Sequence, residues 1–453
     1  MATIDPRLVA VKDIIEDDPD EALRLVNDTL NDNFDDPDAL FMAGYILMQA
    51  ERYGMAFNLF ERSRQIAPNH TETYNNMGMC VDDSNTQLAI QYFDKALELK
   101  PSNASAMINK GLMLMKSGNP EKCIELCLQA LRIDPDSRAA HDNLGLAYLM
   151  TRQWEKGWAE YQWGLGGKHR KKHDYGVPEW DGKTAGNIII YGEQGIGDEI
   201  MFASCIPDAL KHANHVTIDC DSRLEGLFSR SFDCHVSGTR YGGEIDTPVE
   251  PDFACSIGDL PRFYRNKHKD FPGTPYLTPD PERCVQWRAL LDQYQGMKIG
   301  IAWSGGVKNT GSARRSITLD DLAPLFDSGH TFVSLEYNKP DQTELDKYDV
   351  KHWHRAVGKG ADFDETIALI SELDLVISVT TTVIHAAGAI GKECWTLAPM
   401  NPPALIHKSG DLPWYKSVKM FRQTTDWAEV IGQVANKLEK TYGCTKEASR
   451  QTA

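Results

Sequence analysis

The sequence predicts an α-solenoid followed by an α/β fold of two Rossmann-like halves. Two observations carry this prediction. Glycine and proline recur at a step of about 34 residues through the first third of the chain. After residue 186, short apolar runs rich in β-branched residues alternate with amphipathic stretches. This alternation is typical of the strands and helices of parallel sheets.

Composition and charge limit the classes of function. At 453 residues the chain is long enough for about three domains. A net charge of −17 argues against a general binder of nucleic acid or anionic membrane, because phosphate neutralisation needs clustered Lys and Arg. The start of the chain has neither a basic n-region nor an apolar h-region, and no apolar run has the length of a membrane span. We therefore expect a cytoplasmic protein.

Helix pairs are predicted over residues 1–163. The recurring markers are Gly44, Gly78, Gly111 and Gly145, with Pro68, Pro101 and Pro135 at the same step. This periodicity resembles the tetratricopeptide repeat, a helix–turn–helix unit of about 34 residues. The glycine allows helix A to pack closely on helix B, and the proline ends helix B. Residues 6–36 lack the glycine and are predicted to cap the array.

A linker is predicted at 164–186, where glycines and a basic cluster at 168–172 interrupt the repeats. We interpret this cluster as a solvated segment in preference to an anion-binding patch. The first α/β half is predicted at 187–280 and the second, with a closing helix, at 281–443, followed by a tail at 444–453. Ligands of parallel sheets bind at the carboxyl ends of strands. Three loops leave strand ends in this way: Gly192–Asp198, Ser304–Ser316 and Thr380–Thr382.

The first of these loops is a glycine turn made by Gly192, Gly195 and Gly197. A strand precedes it and a helix follows it. Such a turn leaves backbone N–H groups at a helix start, where they stabilise an anion or a developing negative charge.

Several segments after residue 177 resemble one enzyme family. The segments PEWDG, IIIYGEQGIGDEIMFASCIP, GIAWSGG, DLVISVTTTVIHAAGAIGKECWTLAP and PWYKSVKMFRQ are similar to those of bacterial and phage tetratricopeptide proteins with a heptosyltransferase-like glycosyltransferase module. A more distant similarity is to the O-GlcNAc transferases. The resemblance implies the GT-B fold and sugar transfer from a nucleotide-sugar donor, which is a substrate and not a cofactor. We interpret no carboxylate cluster as the metal-binding D-x-D motif of other glycosyltransferases, so we expect no metal.

The resemblance implies a catalytic base at Asp198, because heptosyltransferases have an acidic residue after the glycine-rich turn. Glycosyl transfer needs such a base to deprotonate the acceptor hydroxyl. Glu199 stands beside it. In the alternative interpretation, Asp198 offsets the helix macrodipole and has no catalytic role.

Donor binding is expected in the second half. A diphosphate would be held by backbone N–H groups, by cationic side chains and by the start of an apolar helix. These residues are Ser304, Gly305, Gly306, Lys308, Arg314, Arg315, Thr380, Thr381, Thr382 and His385. Alternatively, the threonines simply cap the helix and His385 is a core histidine. Heptosyltransferases commonly have Asp where this chain has Thr380, so a heptose donor is not implied.

The repeats offer a site for a protein acceptor. Asparagine stands two residues before the repeat glycine at Asn76, Asn109 and Asn143, whereas the first such position holds Met42. Helix A lines the concave face, and an Asn side chain matches the donors and acceptor of a peptide backbone. The O-GlcNAc transferases use a comparable row. Alternatively, Asn is simply frequent at this repeat position.

Two other functions stay open. One is a non-catalytic interaction protein that keeps a degenerate glycosyltransferase module. The other is an NAD(P)-binding oxidoreductase, because the glycine turn is followed some twenty residues later by Asp219 and Asp221. The glycine spacing is G-x-x-G-x-G, however, and Asp198 places a negative charge where a pyrophosphate would lie.

Overall fold

A computed structural model describes most of the chain, in two compact units. The described residues are 5–15, 17–81, 85–167, 169–240, 245–306, 312–354, 362–402, 404–406 and 410–443. The units are Met1–Thr151 and Arg152–Ala453. Lys308 and the predicted tail at 444–453 lie outside the described residues.

The first unit is helical. Its helices are α1 (Pro6–Ile14), α2 (Pro19–Asp32), α3 (Pro37–Gln49), α4 (Tyr53–Ile66), α5 (Thr71–Cys80), α6 (Thr86–Leu99), α7 (Ala104–Lys116), α8 (Pro120–Leu131) and α9 (Arg138–Met150). Each helix packs on the next along the chain. The predicted helix pairs are therefore confirmed.

The repeat glycines allow the close packing that their spacing predicts. A Cβ atom on Gly44 would lie 2.8 Å from the Phe60 ring, and one on Gly78 would lie 2.6 Å from the Phe93 ring. Real Cβ atoms do not approach ring carbons this closely, so only glycine fits between helix A and helix B at these positions.

The second unit contains nine strands among its described residues. They are β1 (Asn187–Tyr191), β2 (His215–Asp219), β3 (His235–Ser237), β4 (Phe253–Ser256), β5 (Lys298–Ala302), β6 (Thr331–Ser334), β7 (Leu375–Val379), β8 (Cys394–Ala398) and β9 (Val418–Arg422). The first four strands form one sheet in the order β3-β2-β1-β4, and the others form a second sheet in the order β6-β5-β7-β8-β9. Every pairing between these strands is parallel. The predicted fold class, a repeat array followed by two Rossmann-like halves, is confirmed.

Helices connect and cover the strands. They are α10 (Trp154–Tyr161), α11 (Ile196–Ala203), α12 (Ile206–Ala209), α13 (Glu225–Ser231), α14 (Leu260–Tyr264), α15 (Pro281–Leu291), α16 (Ser312–Arg315), α17 (Ala323–Phe326), α18 (Gln342–Lys347), α19 (Phe363–Glu372), α20 (Thr382–Ala389) and α21 (Trp427–Tyr442). Although α10 continues the repeat spacing, it belongs to the second unit. In the described part of the chain, no helix is both long and apolar enough to cross a membrane.

The segment predicted as a solvated linker is partly built into the second unit. Trp180 is buried, and its backbone N–H donates to the Ala254 carbonyl of β4 at 2.8 Å. The Ala254 N–H in turn donates to the Pro178 carbonyl. Arg170, from the basic cluster, is only 3% exposed. The interpretation of this cluster as solvated is therefore wrong for Arg170, because its charge is balanced by buried carboxylates.

Candidate functional site

The three predicted loops leave strands beside the two topological switch points. In the first sheet the strand order reverses between β1 and β4, and in the second it reverses between β5 and β7. Ligands of open α/β sheets bind in the crevice outside the carboxyl ends of such strands. Gly192–Asp198 follows β1, Ser304–Ser316 follows β5, and Thr380–Thr382 follows β7. The sheet topology therefore places all three loops where a ligand is expected.

The glycine turn leads into α11, and each glycine has a different neighbour. A Cβ on Gly192 would lie 2.4 Å from the carboxyl carbon of Glu199, so only glycine leaves room for that side chain. Gly195 is the N-cap of α11. A Cβ on Gly197 would lie 3.1 Å from the Thr382 hydroxyl at the start of α20. Helices α11 and α20 pack against each other and so join the two halves.

The two adjacent carboxylates of α11 have different surroundings. Glu199 is fully buried, accepts a hydrogen bond from the Asp221 N–H at 3.1 Å and forms an ion pair with the buried Arg240. Arg240 also donates to the Gln194 carbonyl in the glycine turn. Through Arg240, the buried Glu199 therefore holds the glycine turn in place.

Asp198 is only partly buried. Loss of hydration raises the pKa of Asp198 to about 6, against the opposing effects of a backbone hydrogen bond at Gly195 and of the charges of Arg170, Arg240 and Arg315. A carboxyl with this pKa exchanges its proton near neutral pH, as a general base must.

Arg170 is a part of this site that the sequence analysis missed. Its guanidinium donates to the Tyr161 carbonyl at 2.7 Å, to Asp259 at 2.8 Å and to Glu193 at 3.1 Å. Glu193 lies in the glycine turn, so Arg170, like Arg240, holds this turn in place. The signal available in the sequence was a basic cluster just before the central strand, but nothing in it indicated burial.

The loop after β5 is held by a second missed residue, Glu336. This buried carboxylate accepts hydrogen bonds from the N–H groups of Trp303 and Ser304 and from the Ser304 hydroxyl. The Gly305 N–H donates to the Ser316 hydroxyl at 2.9 Å. Two of the N–H groups predicted for donor binding are thus engaged within the protein. Donor binding by Ser304 and Gly305 stays a prediction, and it would require these acceptors to be displaced.

Arg315 connects the other two loops. Its guanidinium donates to the Thr380 carbonyl at 2.9 Å and to the Gly305 carbonyl. Burial lowers the pKa of Arg315, and the charge of Asp198 acts in the opposite direction. Arg315 is therefore near Asp198, and it holds the chain just after β5 and just after β7 in the second sheet. Arg314 is partly exposed beside it.

The three threonines begin α20. Thr381 is the N-cap, and its hydroxyl accepts a hydrogen bond from the Val383 N–H at 3.3 Å. Thr382 is the first helical residue. Thr380 is only 2% exposed, and its hydroxyl has no partner among the described residues. The predicted helix start is confirmed, whereas a role in phosphate binding stays a prediction.

His385 lies one turn further along α20. Its Nδ1 is 3.1 Å from the hydroxyl of the buried Tyr415. Burial lowers the pKa of His385 to about 4, so the ring is neutral at physiological pH. Tyr415 comes from the segment before β9, and the sequence analysis did not identify it as a site residue.

The asparagine row of the first unit is less open than its spacing suggested. Asn76 and Asn143 are 8% and 9% exposed. The Asn143 amide donates to the Ile108 carbonyl of α7 at 3.5 Å, and the Asn109 amide donates to Asn75 at 3.0 Å. These contacts connect one repeat to the next, so they favour a structural role for Asn143.

The residues that suggested a dinucleotide are also engaged. Asp219 accepts hydrogen bonds from the hydroxyls of Tyr175, at 2.7 Å, and Thr239, at 3.0 Å. Asp221 is paired with Arg223 at 2.8 Å. Neither carboxylate is open to a ribose, which weighs against the oxidoreductase. Within the described ranges, no group of three or more His, Cys, Asp or Glu side chains is arranged to hold a metal ion.

Comparison with known proteins finds similarity in both units. Residues 81–146 match the family model of the tetratricopeptide repeat. The chain is 27% identical over 380 residues to Protein FlbA of Caulobacter vibrioides, an alignment that covers 77% of this chain and 64% of FlbA. Because the first unit ends at Thr151, this alignment continues well into the second unit.

Two further similarities cover smaller parts of the chain. FK506-binding protein-like of Mus musculus is 31% identical over 122 residues, which are 26% of this chain and 35% of that protein. The chain thus spans less than two thirds of the length of these curated relatives. The solved tetratricopeptide protein TTC0263 of Thermus thermophilus aligns with 34% of the chain at 19% identity, with a TM-score of 0.32.

Proposed function

We propose that this protein is a metal-independent glycosyltransferase that moves a sugar from a nucleotide-sugar donor to the hydroxyl group of an acceptor. One observation carries the proposal. Asp198 in the first turn of α11 and Arg315, whose guanidinium donates to the Thr380 carbonyl just before α20, come from the two halves, and α11 and α20 pack together with Gly197 beside Thr382. Glycosyl transfer requires a base and an anion-stabilising group at one site.

In this proposal Asp198 takes the proton of the acceptor hydroxyl. Its pKa of about 6 leaves most of it ionised at neutral pH while keeping it basic enough to accept a proton. Glu199 beside it is paired with Arg240, so it is not available for this role.

The leaving nucleoside diphosphate would be stabilised at the start of α20. Helix N-termini bind phosphate because their first N–H groups lack intrahelical partners. Arg314 and Arg315 add positive charge on the same side, and the unpartnered hydroxyl of Thr380 is a further donor.

A non-catalytic interaction protein is the second candidate, and two observations favour it. The N–H groups of Ser304 and Gly305 are already engaged by Glu336 and Ser316. Thr380 stands where the resembling enzymes commonly have Asp. Measured turnover of a nucleotide sugar would decide between the two functions.

The acceptor would be a protein held by the repeats. A cavity of about 410 Å³ opens between α3, α5 and the start of α7. Its walls combine aromatic, amide and charged side chains, as a site for an extended peptide requires. They include Phe41, Tyr45, Glu72, Asn75, Asn76, Lys100 and Ser105. The half-buried Asn75 presents more of its side chain to solvent than Asn76 does.

The experiment is a thermal-shift screen against UDP-, GDP-, ADP- and CMP-sugars, followed by mass spectrometry of the products with the best binder. A ligand at a hundred times its Kd stabilises the folded state by about 2.7 kcal/mol, so binding raises Tm. Asp198→Asn is the matched control, because it should still bind the donor but not turn it over. A donor that binds without transfer or hydrolysis in any condition would support the non-catalytic function. No binding at all would contradict the donor site.

A further inference from the structure

His385 lies between two neighbours that fix the orientation of its ring. On one edge, Nδ1 is 3.1 Å from the Tyr415 hydroxyl. On the other edge, Cδ2 lies 3.4 Å from where a Cβ on Gly197 would be. Nε2 is bonded to Cδ2 and so belongs to the edge that faces the start of α11. Within the described part of the chain, Nε2 has no hydrogen-bond partner.

The position of the imidazole proton follows from the neighbouring hydroxyls. Tyr276 donates its single proton to the Ile200 carbonyl at 2.6 Å. The oxygens of Tyr276 and Tyr415 are 3.5 Å apart, beyond the usual range of about 2.5–3.0 Å for an O–H···O hydrogen bond. The Tyr415 proton therefore has its best acceptor at His385 Nδ1, and a neutral imidazole that accepts at Nδ1 carries its proton on Nε2.

The Tyr415 ring is itself held in place. A Cβ on Gly388 would lie 2.3 Å from the Tyr415 ring, so this ring packs directly on the backbone of α20. Gly388 lies on the same helix as His385. The separation of the hydroxyl and Nδ1 is therefore set by the packing of one helix against one aromatic ring.

We propose that Tyr415 is a positioning residue that keeps His385 in its Nε2–H tautomer, so that this N–H donates to an anionic oxygen of the donor diphosphate. The tautomer follows from contacts within the protein. The identity of the oxygen rests on the proposed function. A neutral donor at this point adds a hydrogen bond to the ligand without adding a cation to the site.

Nitrogen NMR of protein labelled with ¹⁵N-histidine tests the tautomer directly. The chain has 13 histidines, and the spectrum of His385→Gln identifies the signals of His385 by their absence. In the unmodified protein at neutral pH, we expect Nδ1 to resonate as an unprotonated nitrogen and Nε2 as a protonated one. In Tyr415→Phe, which keeps the ring on Gly388, the Nδ1 and Nε2 shifts should move toward values averaged over both tautomers.

Tyr276→Phe is the matched control, because it removes a hydroxyl from the same cluster but not the donor to Nδ1. The His385 signals should keep the pattern of the unmodified protein in this variant. A protonated Nδ1 in the unmodified protein, or unchanged signals in Tyr415→Phe, would overturn the assignment of Tyr415. Both Tyr variants keep their rings, and their far-UV circular dichroism should match that of the unmodified protein.

Inorganic pyrophosphate tests the ligand separately. When it is added at millimolar concentration, we expect the Nε2 and Nε2–H signals of His385 to shift in the unmodified protein and to shift less in Tyr415→Phe. If the tautomer is as expected but pyrophosphate leaves these signals unchanged, the diphosphate contact is wrong while the positioning by Tyr415 stands. The failure of each part is thus seen in a different measurement.

Discussion

Gly197 and Thr382 touch across the two halves of the second unit. A Cβ on residue 197 would lie 3.1 Å from the Thr382 hydroxyl oxygen and 3.5 Å from the Thr382 Cα. Gly197 is in the first turn of α11, and Thr382 is the first residue of α20. The close approach of the two helix starts that flank the candidate site therefore requires glycine at position 197.

Replacing Gly197 by Val should separate the two helix starts. The added methyl groups have no room beside Thr382, and overpacking of this kind costs about 1–3 kcal/mol. We expect a lower midpoint of urea unfolding and weaker binding of nucleoside diphosphate by calorimetry. Gly195→Ala is the control, because its Cβ would meet the Asp198 carboxylate at an ordinary 3.4 Å. Equal effects of the two substitutions would contradict the importance of this contact.

Asp198→Asn should lower turnover by about a hundredfold or more while leaving donor affinity nearly unchanged. The base acts in its ionised form. Because the pKa of Asp198 is raised to about 6, the rate should rise with pH through this value and become constant above it. Initial rates between pH 5 and pH 8 would check this. Asp233→Asn removes an exposed carboxylate from the same half and should leave the profile unchanged.

The stability of Asp198→Asn also distinguishes a catalytic base from a helix cap. Burial raises the pKa of Asp198 above its value in the unfolded chain, so its ionisation weakens the folded state as pH rises through about 6. Asp198→Asn should therefore be more stable than the unmodified protein at pH 8, by something of the order of 1 kcal/mol after allowance for partial exposure. The gain should vanish below pH 4. If Asp198 only offsets the helix macrodipole, the substitution should instead lower the stability at pH 8.

Much of the fold was predictable because periodicity is a local signal. The glycine step identified the repeats, and the runs at 187–191, 298–302 and 375–379 identified central strands, which are buried on both faces and therefore predominantly apolar. Strands β3 and β4 have no comparable signal in the sequence, because three or four residues are too few to show a period. Strand β9 gives no continuous apolar run either, because it mixes buried with more exposed residues.

The candidate site was predictable only in part, for a different reason. Loops after strands can be read from sequence, so the glycine turn and the threonines were found. Arg170, Arg240 and Glu336 act through pairing with residues 23 to 89 positions away, and no local pattern records such partners. The burial of Asn143 was also invisible, because it depends on a contact with the neighbouring repeat.

Arg315→Ala and Arg314→Ala should have different effects. Removal of Arg315 leaves the Thr380 and Gly305 carbonyls without a donor, which costs about 1–3 kcal/mol in stability as well as weakening diphosphate binding. Arg314→Ala should weaken binding without a comparable loss of stability, because this side chain is partly exposed. Urea unfolding and calorimetry with the nucleoside diphosphate measure the two effects. Unchanged affinity in both variants would place the phosphate site elsewhere, with Lys308 or the threonines as candidates.

The last prediction tests whether a protein acceptor binds in the cavity of the repeats or along the asparagine row. Asn143→Ala should lower the stability of the repeats by about 1 kcal/mol, because its amide binds the Ile108 carbonyl, but it should leave the glycosylation of a protein acceptor unchanged. Tyr45→Ala with Asn75→Ala changes the wall of the cavity and should impair that glycosylation while donor hydrolysis continues. Mass spectrometry of the acceptor and release of the nucleotide would be measured side by side. If Asn143→Ala impairs glycosylation and the cavity variant does not, the asparagine row holds the acceptor after all. If neither variant affects it, the acceptor is bound outside the repeats.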